Sequence, residues 1–203
     1  AKKYNTNHTE VDLNIDISFD KVNSILSILD EPYSDPSVIP SYLLCNAISK
    51  KYKVAISGDG GDELLGGYQR ISNSLSKKSK IQNMLSNFYY FYPPFLGSGA
   101  NLTKFSNEIA KAYSTYLYDE KFLNYLGIES KKTIFETEIR EMNVSDYKKL
   151  SLMEYNLFLS EMMMLKVDRT SMANSLEVRS PFVDHKLVEY VFSHRPSYFN
   201  IGN

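Results

Sequence analysis

Hydrophobic positions along the chain change period several times, and each change marks an element. Val11, Leu13, Ile15 and Ile17 alternate with polar residues, the period of a half-buried strand expected at or near a sheet edge. From Ser18 the period becomes helical: Ser18 is a capping residue, and Phe19, Val22, Ile25, Leu26 and Leu29 fall on one face of a helix ending before Asp30-Glu31-Pro32. A loop rich in Pro, Asp and Ser follows over 31–37, and Pro40 suits the first turn of a second helix, Ser41 to about Lys51. Val54 to Ile56 is a short apolar run that opens into glycines and carboxylates, the pattern of a buried parallel strand ending in a tight loop. Asp62 and Glu63 would begin the next helix, next to the positive end of its dipole, with Leu64 and Leu65 pointing inward and Gly66-Gly67 ending it early. Strand, helix, loop, helix, strand is the half-unit of a doubly wound sheet. A right-handed crossover would bring Asp35 and Ser37 to the rim occupied by Ser57 to Asp62.

Beyond this unit the pattern is helical. Residues 72–80 are polar and basic, with Lys77, Lys78 and Lys80, and read as a solvated helix face. The aromatic cluster Phe88 to Tyr92 runs into Pro93-Pro94 and Gly97-Ser98-Gly99, a bend. Helical spacing resumes over about 107–125 and from Asp146 onward, where Leu152, Tyr155, Leu159, Met162, Met163 and Leu165 make a broad apolar stripe. The fold class predicted is α/β, part of a doubly wound parallel sheet, with a mainly helical C-terminal extension. Residues 1–71 would belong to the α/β core and 72–203 to the extension.

The segment from Lys166 places Lys166, Asp168, Arg169, Glu177, Arg179 and Asp184 among small and apolar residues, a pattern that fits a buried ion-pair lattice and a substrate rim alike. On a helix Lys166 and Thr170 share a face, while Asp168 and Arg169 point elsewhere. Lys166 is therefore the candidate for phosphate contact, and Asp168 to Arg179 is read mainly as structure. Ser180-Pro181-Phe182 interrupts the helix, and Asp184 is placed to cap a last one over Lys186 to Ser193.

Composition narrows the function. A chain of 203 residues, 43% hydrophobic and 23% charged, suits one globular domain, and a net charge of -1 gives no overall drive towards nucleic acid or an anionic membrane. The single cysteine, Cys45, lies in an apolar helical pattern, so no disulfide framework exists and a reducing cytoplasmic setting is expected. No segment has the length and apolarity of a membrane span. His8, His185 and His194 are scattered, without metal-ligand spacing or a neighbouring nucleophile.

Candidate chemistry concentrates in Ser57-Gly58-Asp59-Gly60-Gly61-Asp62-Glu63. Ligands of open α/β sheets lie beyond the carboxyl ends of strands, and glycines let backbone approach a ligand closely. Three carboxylates beside a polyphosphate require a divalent cation or another positive partner. The same residues also suit a surface turn, and they match neither the dinucleotide fingerprint nor the Lys-Ser/Thr phosphate loop.

The spelling adds to the spacing. Ser57 through Arg70 resembles the second signature of glutamine-dependent asparagine synthetases, S-G-[DE]-G-[GS]-D-E-[LV]-F-G-G-Y-x-R. Upstream, Asp30 to Pro40 is similar to that family's D-E-P-[FY]-x-D-x-S-x-[IP]-P segment. Downstream, Lys166 to Asp184 is similar to its K-x-D-R-x-S-M-A-x-S-x-E-x-R-x-P-F-[LV]-D block. The resemblance covers most of the chain, except that residues 72–151 match only in being helical and variable.

This resemblance implies a domain that uses ATP and magnesium to adenylate aspartate, or another carboxylate, and lets glutamine-derived ammonia attack the acyl adenylate, giving asparagine, AMP and pyrophosphate. Ser57 and Gly58 correspond to positions that touch the adenylate. Gly60, Gly61 and Glu63 complete that nucleotide loop, and Ser37 lines the same pocket. Asp59 corresponds to the acid needed around adenylate formation and ammonia attack, Asp62 to a magnesium ligand, and Lys166 to a basic position facing the phosphates. The implied partners are a glutaminase domain of the parent protein and a possible second copy in a homodimer, with no nucleic acid and no membrane.

Departures from the family pattern qualify these expectations. The family's first signature, an S-G-G-x-D-S pyrophosphate loop, is absent from this sequence, as is the lysine-bearing segment expected after His194-Arg195-Pro196-Ser197. Cys45 is internal and helical, so it cannot be the glutaminase nucleophile. The chain is accordingly expected to be a fragment without synthetase activity alone, its sheet lacking a central strand. The apolar edge that remains would invite pairing with another chain. Asp59 is one methylene shorter than the Glu of some members, and Leu65 replaces Phe. Relatives with this domain also amidate sugar acids, cyclise peptides or close β-lactams, and a non-catalytic nucleotide-binding module is the alternative of a different class.

Overall fold

The computed structural model describes residues 1–11, 18–33, 35–75, 80–93, 96, 123, 125–128, 138–139 and 141–194. The alternation at Leu13, Ile15 and Ile17, residues Lys77 and Lys78, the glycines at 97 and 99 and nearly all of the helix expected over 107–125 lie outside them. The described residues are mostly helical, with one two-stranded parallel sheet, rather than a full doubly wound sheet. They fall into two compact units, each assembled from separate stretches: residues 1–59 with 160–181, and residues 60–159 with 182–203.

In the first unit α1 spans Phe19–Leu26. Ser18 caps it in extended conformation, its hydroxyl accepting the Lys21 N–H, as its sequence position implies. The helix stops short of Leu29, and its buried face centres on Ile25, whereas Phe19 is 76% exposed. Helix α2, Val38–Ser49, starts earlier than expected because Asp35 organises the turn before it: its carboxylate accepts the Ser37 N–H at 2.9 Å. Pro40 then sits in the first turn, where its missing N–H costs nothing.

Strand β1, Val54–Ile56, pairs in parallel with β2, Glu177–Arg179, in the register Val54 to Glu177, Ala55 to Val178 and Ile56 to Arg179. The pairing extends at both ends through Glu177 N–H to the Lys53 carbonyl and Ser57 N–H to the Arg179 carbonyl, each at 2.9 Å. The buried strand expected here is half exposed instead. Ala55 faces inward, while Val54 is 44% and Ile56 77% exposed. Helix α7, Leu165–Met172, packs on α2 and β2 and feeds β2 through a tight turn, with Ser175 at φ 53° and the Leu176 N–H bonded to the Ser171 carbonyl.

The second unit holds α3 (Gly61–Leu65), α4 (Gln69–Leu75), α5 (Lys80–Asn87), α6 (Asp146–Met153) and α8 (His185–Ser193). Ile71, Ile139, Leu150 and Met153 are essentially fully buried and form its core, with Tyr68, Leu75, Tyr147, Leu152 and Leu157 packed around them. After α6 the chain winds wider as a π-helix over Glu154–Met164. Of the expected apolar stripe, Leu159 is buried, whereas the core positions Leu150 and Met153 lie a turn earlier. Helix α3 is little more than one turn, and its buried residues are Glu63 and Leu64. Leu65, expected inward, is 38% exposed. Asp184 caps α8 as expected, its carboxylate accepting the N–H groups of Lys186 and Leu187 at 3.0 and 3.3 Å. No helix among the described residues is long and apolar enough to cross a membrane.

Candidate active site

In the first unit both strands end on a serine. The hydroxyls of Ser57 and Ser180 share a hydrogen bond of 2.8 Å, holding the carboxyl ends of β1 and β2 together. A cleft of about 320 Å³ opens beside β1, within the volume range of small-molecule sites. Its apolar wall comes from α2, α7 and the strands, including Leu44, Ile48, Ile56, Val167, Leu176 and Val178, and its polar groups include Ser41, Ser57, Asp59, Lys166 and Thr170. Three predicted residues, Ser57, Asp59 and Lys166, therefore line one cavity. Cys45 also lines it. Burial pushes its thiol up, partly offset by a hydrogen bond with Thr170 and reinforced by the charge of Asp59, so it is a packing group rather than a nucleophile.

Lys166 is 6% exposed, and its ammonium is held by protein. It donates to Asp35 Oδ2 at 3.0 Å and to Ser37 Oγ at 2.8 Å, with Met163 Sδ at 3.5 Å. Ser37 Oγ in turn donates to Asp35 Oδ2 at 2.7 Å. Burial alone would raise the Asp35 carboxyl, but the hydrogen bonds from Ser37 and the bond and charge of Lys166 outweigh it and hold that carboxyl below its ordinary range. Tyr33, whose hydroxyl donates to the Met162 carbonyl at 2.6 Å, is pushed up to about 12, first by burial and then by the charge of Asp35.

From Gly60 onward the loop residues belong to the second unit. Gly60 adopts φ 89°, where glycine is favoured, and a Cβ there would lie 2.9 Å from Val183. A Cβ on Gly61 would meet only ordinary contact with Phe182, and one on Gly58 nothing within 4 Å. Asp62 Oδ1 lies where a Cβ on Gly67 would stand, 2.0 Å away, and the Gly67 N–H bonds the Asp62 carbonyl. That bare glycine is the cradle of the Asp62 carboxylate. Glu63 is 2% exposed and accepts the Tyr68 hydroxyl at 2.7 Å, and burial, reinforced by this bond, pushes Tyr68 up.

Among the described residues no group of three His, Cys, Asp or Glu side chains is arranged to hold a metal. Magnesium needs no such cage, since it binds through one or two carboxylates together with phosphate oxygens and water. A single carboxylate such as that of Asp62 could serve in a donor set of that kind.

Sequence reading missed two members of these arrangements, Ser180 and Glu154, and one pairing. Asp35 is expected at the rim of the site, but its pairing with Lys166 is not, although a lysine on an apolar helix face requires a counter-ion, and Asp-Pro-Ser before a helix signals a capping turn. Ser180 carried no signal without knowledge of β2. Glu154, 0% exposed and paired with Arg70, is not singled out by any pattern in the sequence.

The family model described as "Asparagine synthase" matches the chain over residues 1–203. The chain belongs to the asparagine synthase family. The glutamine-hydrolyzing asparagine synthetase 1 of Bacillus subtilis (strain 168) is 29% identical over 188 residues, covering 86% of this chain and 30% of that protein. The corresponding enzyme 3 of the same organism is 30% identical over 155 residues, covering 73% of this chain and 22% of that protein. A putative glutamine-hydrolyzing asparagine synthetase 2 of Methanocaldococcus jannaschii is 35% identical over 89 residues, covering 42% and 16% respectively. The chain thus spans less than a third of the length of these relatives. No solved structure matches it significantly.

Proposed function

We propose that this chain is part of an ATP-dependent, amide-forming synthetase that activates a carboxylate, aspartate in the first instance, and joins it to glutamine-derived ammonia. The observation that carries this reading is the convergence of Ser57, Asp59 and Lys166 on one cleft at the end of β1. In the proposed reaction a carboxylate oxygen attacks the α-phosphorus of ATP and pyrophosphate leaves. Ammonia then attacks the activated carbonyl carbon, AMP leaves, and the nitrogen gives up a proton. Asp59 is the carboxylate placed to take that proton. Ser57 would donate to the adenylate, and Lys166 supplies positive charge on the phosphate side. Asp62 would hold magnesium, which when bound would supply positive charge for departing pyrophosphate.

Gly58, Gly60 and Gly61 fit the reading by letting backbone approach the nucleotide. Glu63 fits it less directly: with its carboxylate bonded to Tyr68 and buried, it would shape the loop rather than touch the ligand. The relatives' names, glutamine-hydrolyzing asparagine synthetases, further support glutamine as the source of ammonia, released by a glutaminase domain of the parent protein.

The test is ATP–pyrophosphate exchange by the full-length gene product with aspartate, sugar acids and peptide carboxylates in turn, followed by transfer of label from amide-labelled glutamine to the product. Exchange with aspartate and labelled asparagine support the proposal as stated. Exchange with another acid alone moves the acceptor. Magnesium-ATP binding without exchange overturns catalysis in favour of a binding module.

A further inference from the structure

We infer that Asp35 and Ser37 are positioning residues that set the Lys166 ammonium at the cleft, so that the Asp35-Pro36-Ser37 turn grips the lysine rather than the nucleotide. The inference rests on the proposed function, and it reassigns Ser37 within it. Lys166 lines the cleft with Ser57 and Asp59, whereas neither Asp35 nor Ser37 is among the lining residues.

The turn is closed upon itself and upon the lysine. Asp35 Oδ1 accepts the Ser37 N–H at 2.9 Å, and Asp35 Oδ2 accepts from both Ser37 Oγ at 2.7 Å and Lys166 Nζ at 3.0 Å. A serine hydroxyl has one proton to donate. That of Ser37 is committed to Asp35, and one of its lone pairs is committed to Lys166 at 2.8 Å. To donate to a phosphate, Ser37 would have to release Asp35 and loosen the support of a buried ammonium. The segment is also tied lengthwise, because the Tyr33 hydroxyl bonds the Met162 carbonyl one helical turn before Lys166. A buried ammonium needs a partner of opposite charge, and a flexible lysine stem needs a stop that fixes where the charge ends. Asp35 supplies the charge and Ser37 the stop. The outcome is a cation presented to the cleft in one place, the preorganisation that phosphate chemistry rewards.

The test is a mutant cycle in the full-length protein, read in the KM for ATP, the KM for the carboxylate, ATP–pyrophosphate exchange and magnesium-ATP affinity by calorimetry. Lys166→Met, Asp35→Asn and Ser37→Ala are each expected to raise the KM for ATP while leaving the KM for the carboxylate unchanged, Lys166→Met by about tenfold or more. In the Lys166→Met background, Ser37→Ala and Asp35→Asn should each change it less than about twofold, because residues acting through one group are not additive. An equal effect of Ser37→Ala in both backgrounds would show an independent contact with nucleotide and overturn the inference. A normal KM in Asp35→Asn and Ser37→Ala beside an impaired Lys166→Met would overturn it equally. If Lys166→Met does not fold, Lys166→Gln gives the same cycle, and thermal unfolding of each variant separates loss of fold from loss of aim. A wild-type protein without exchange would sink the proposed function, while calorimetry would still decide whether the turn acts through Lys166.

Discussion

Arg70 grips Glu154 with both prongs of its guanidinium, Nε to Oε1 and Nη2 to Oε2, each at 2.5 Å. Glu154 is completely buried, and the guanidinium lies 3.8 Å from the Tyr68 ring centroid and 4.1 Å from that of Phe158. The fork geometry and the two aromatic faces suit arginine alone. Through Tyr68, which donates to Glu63, the pair also braces the loop that carries Asp62. Arg70→Ala strands a carboxylate in the interior and should cost about 3–5 kcal/mol in denaturant unfolding, with Arg70→Lys recovering only part of it. The apolar double variant Arg70→Met with Glu154→Leu should cost less than either single truncation. A larger loss in the double variant would show that the ion pair itself is net stabilising.

Gly67 offers a separate handle on Asp62. A methyl group there would stand 2.0 Å from Asp62 Oδ1, so Gly67→Ala must push the carboxylate aside. The side chain is short and can move, so the expected stability loss is small, about 1–2 kcal/mol at most. The functional loss should be larger. If Asp62 holds magnesium, the variant needs more magnesium for half-maximal exchange, with the KM for the carboxylate unchanged. An unaltered magnesium dependence would show that the carboxylate over Gly67 is not a ligand.

The pair of Asp35 with Lys166 predicts an acid limb of stability. Asp35 is held below its ordinary range despite its burial, because Ser37 and Lys166 favour the charged form. A carboxylate depressed in the folded state contributes fully above its unfolded value and loses that contribution as pH falls through the folded value. Thermal unfolding should therefore fall on acidification below the ordinary carboxylate range, and Asp35→Asn should flatten that fall. Tyr33 sets an alkaline limb of opposite sign. Its pKa is raised from 10.0 to about 12, so its contribution is complete below 10.0 and is lost as pH rises through about 12. Tyr33→Phe should remove this limb.

What the sequence made legible was local. The caps at Ser18 and Asp184, the apolar run of β1 and the glycines that end α3 each depend on neighbours within a few residues, and each stands where pattern placed it. The parallel partner of β1 was not legible, because Glu177-Val178-Arg179 has one apolar residue and its pairing lies across most of the chain. The same holds for Lys166: its helix and its cleft-facing position were readable, but its counter-ion lies 131 residues away. Leu65 lies outside the interior because the short helix α3 turns Glu63 and Leu64 inward, and an inward acidic residue beside two leucines is not what apolar pattern selects. Motif spelling therefore pointed to Ser57, Asp59 and Lys166, which share a cleft, but not to the contacts that hold them there.

In the proposed reaction Asp59 acts in only one of the two half-reactions. It lines the cleft beside Ser57 and Lys166, and its proposed work, accepting a proton from the attacking nitrogen, belongs to the second step. Activation of the carboxylate releases pyrophosphate before any nitrogen arrives, so it needs no base of this kind. Asp59→Asn keeps the size and hydrogen-bonding reach of the side chain and removes only its basicity. The variant should retain ATP–pyrophosphate exchange within about tenfold of wild type while amide formation from ammonia falls by about 10²–10⁴-fold, the range of a lost general base. Raising pH should restore part of the amide rate, because solvent then takes the proton. Equal loss of both half-reactions would instead assign Asp59 to binding or aligning the nucleotide, and its charge would matter before the nitrogen attacks.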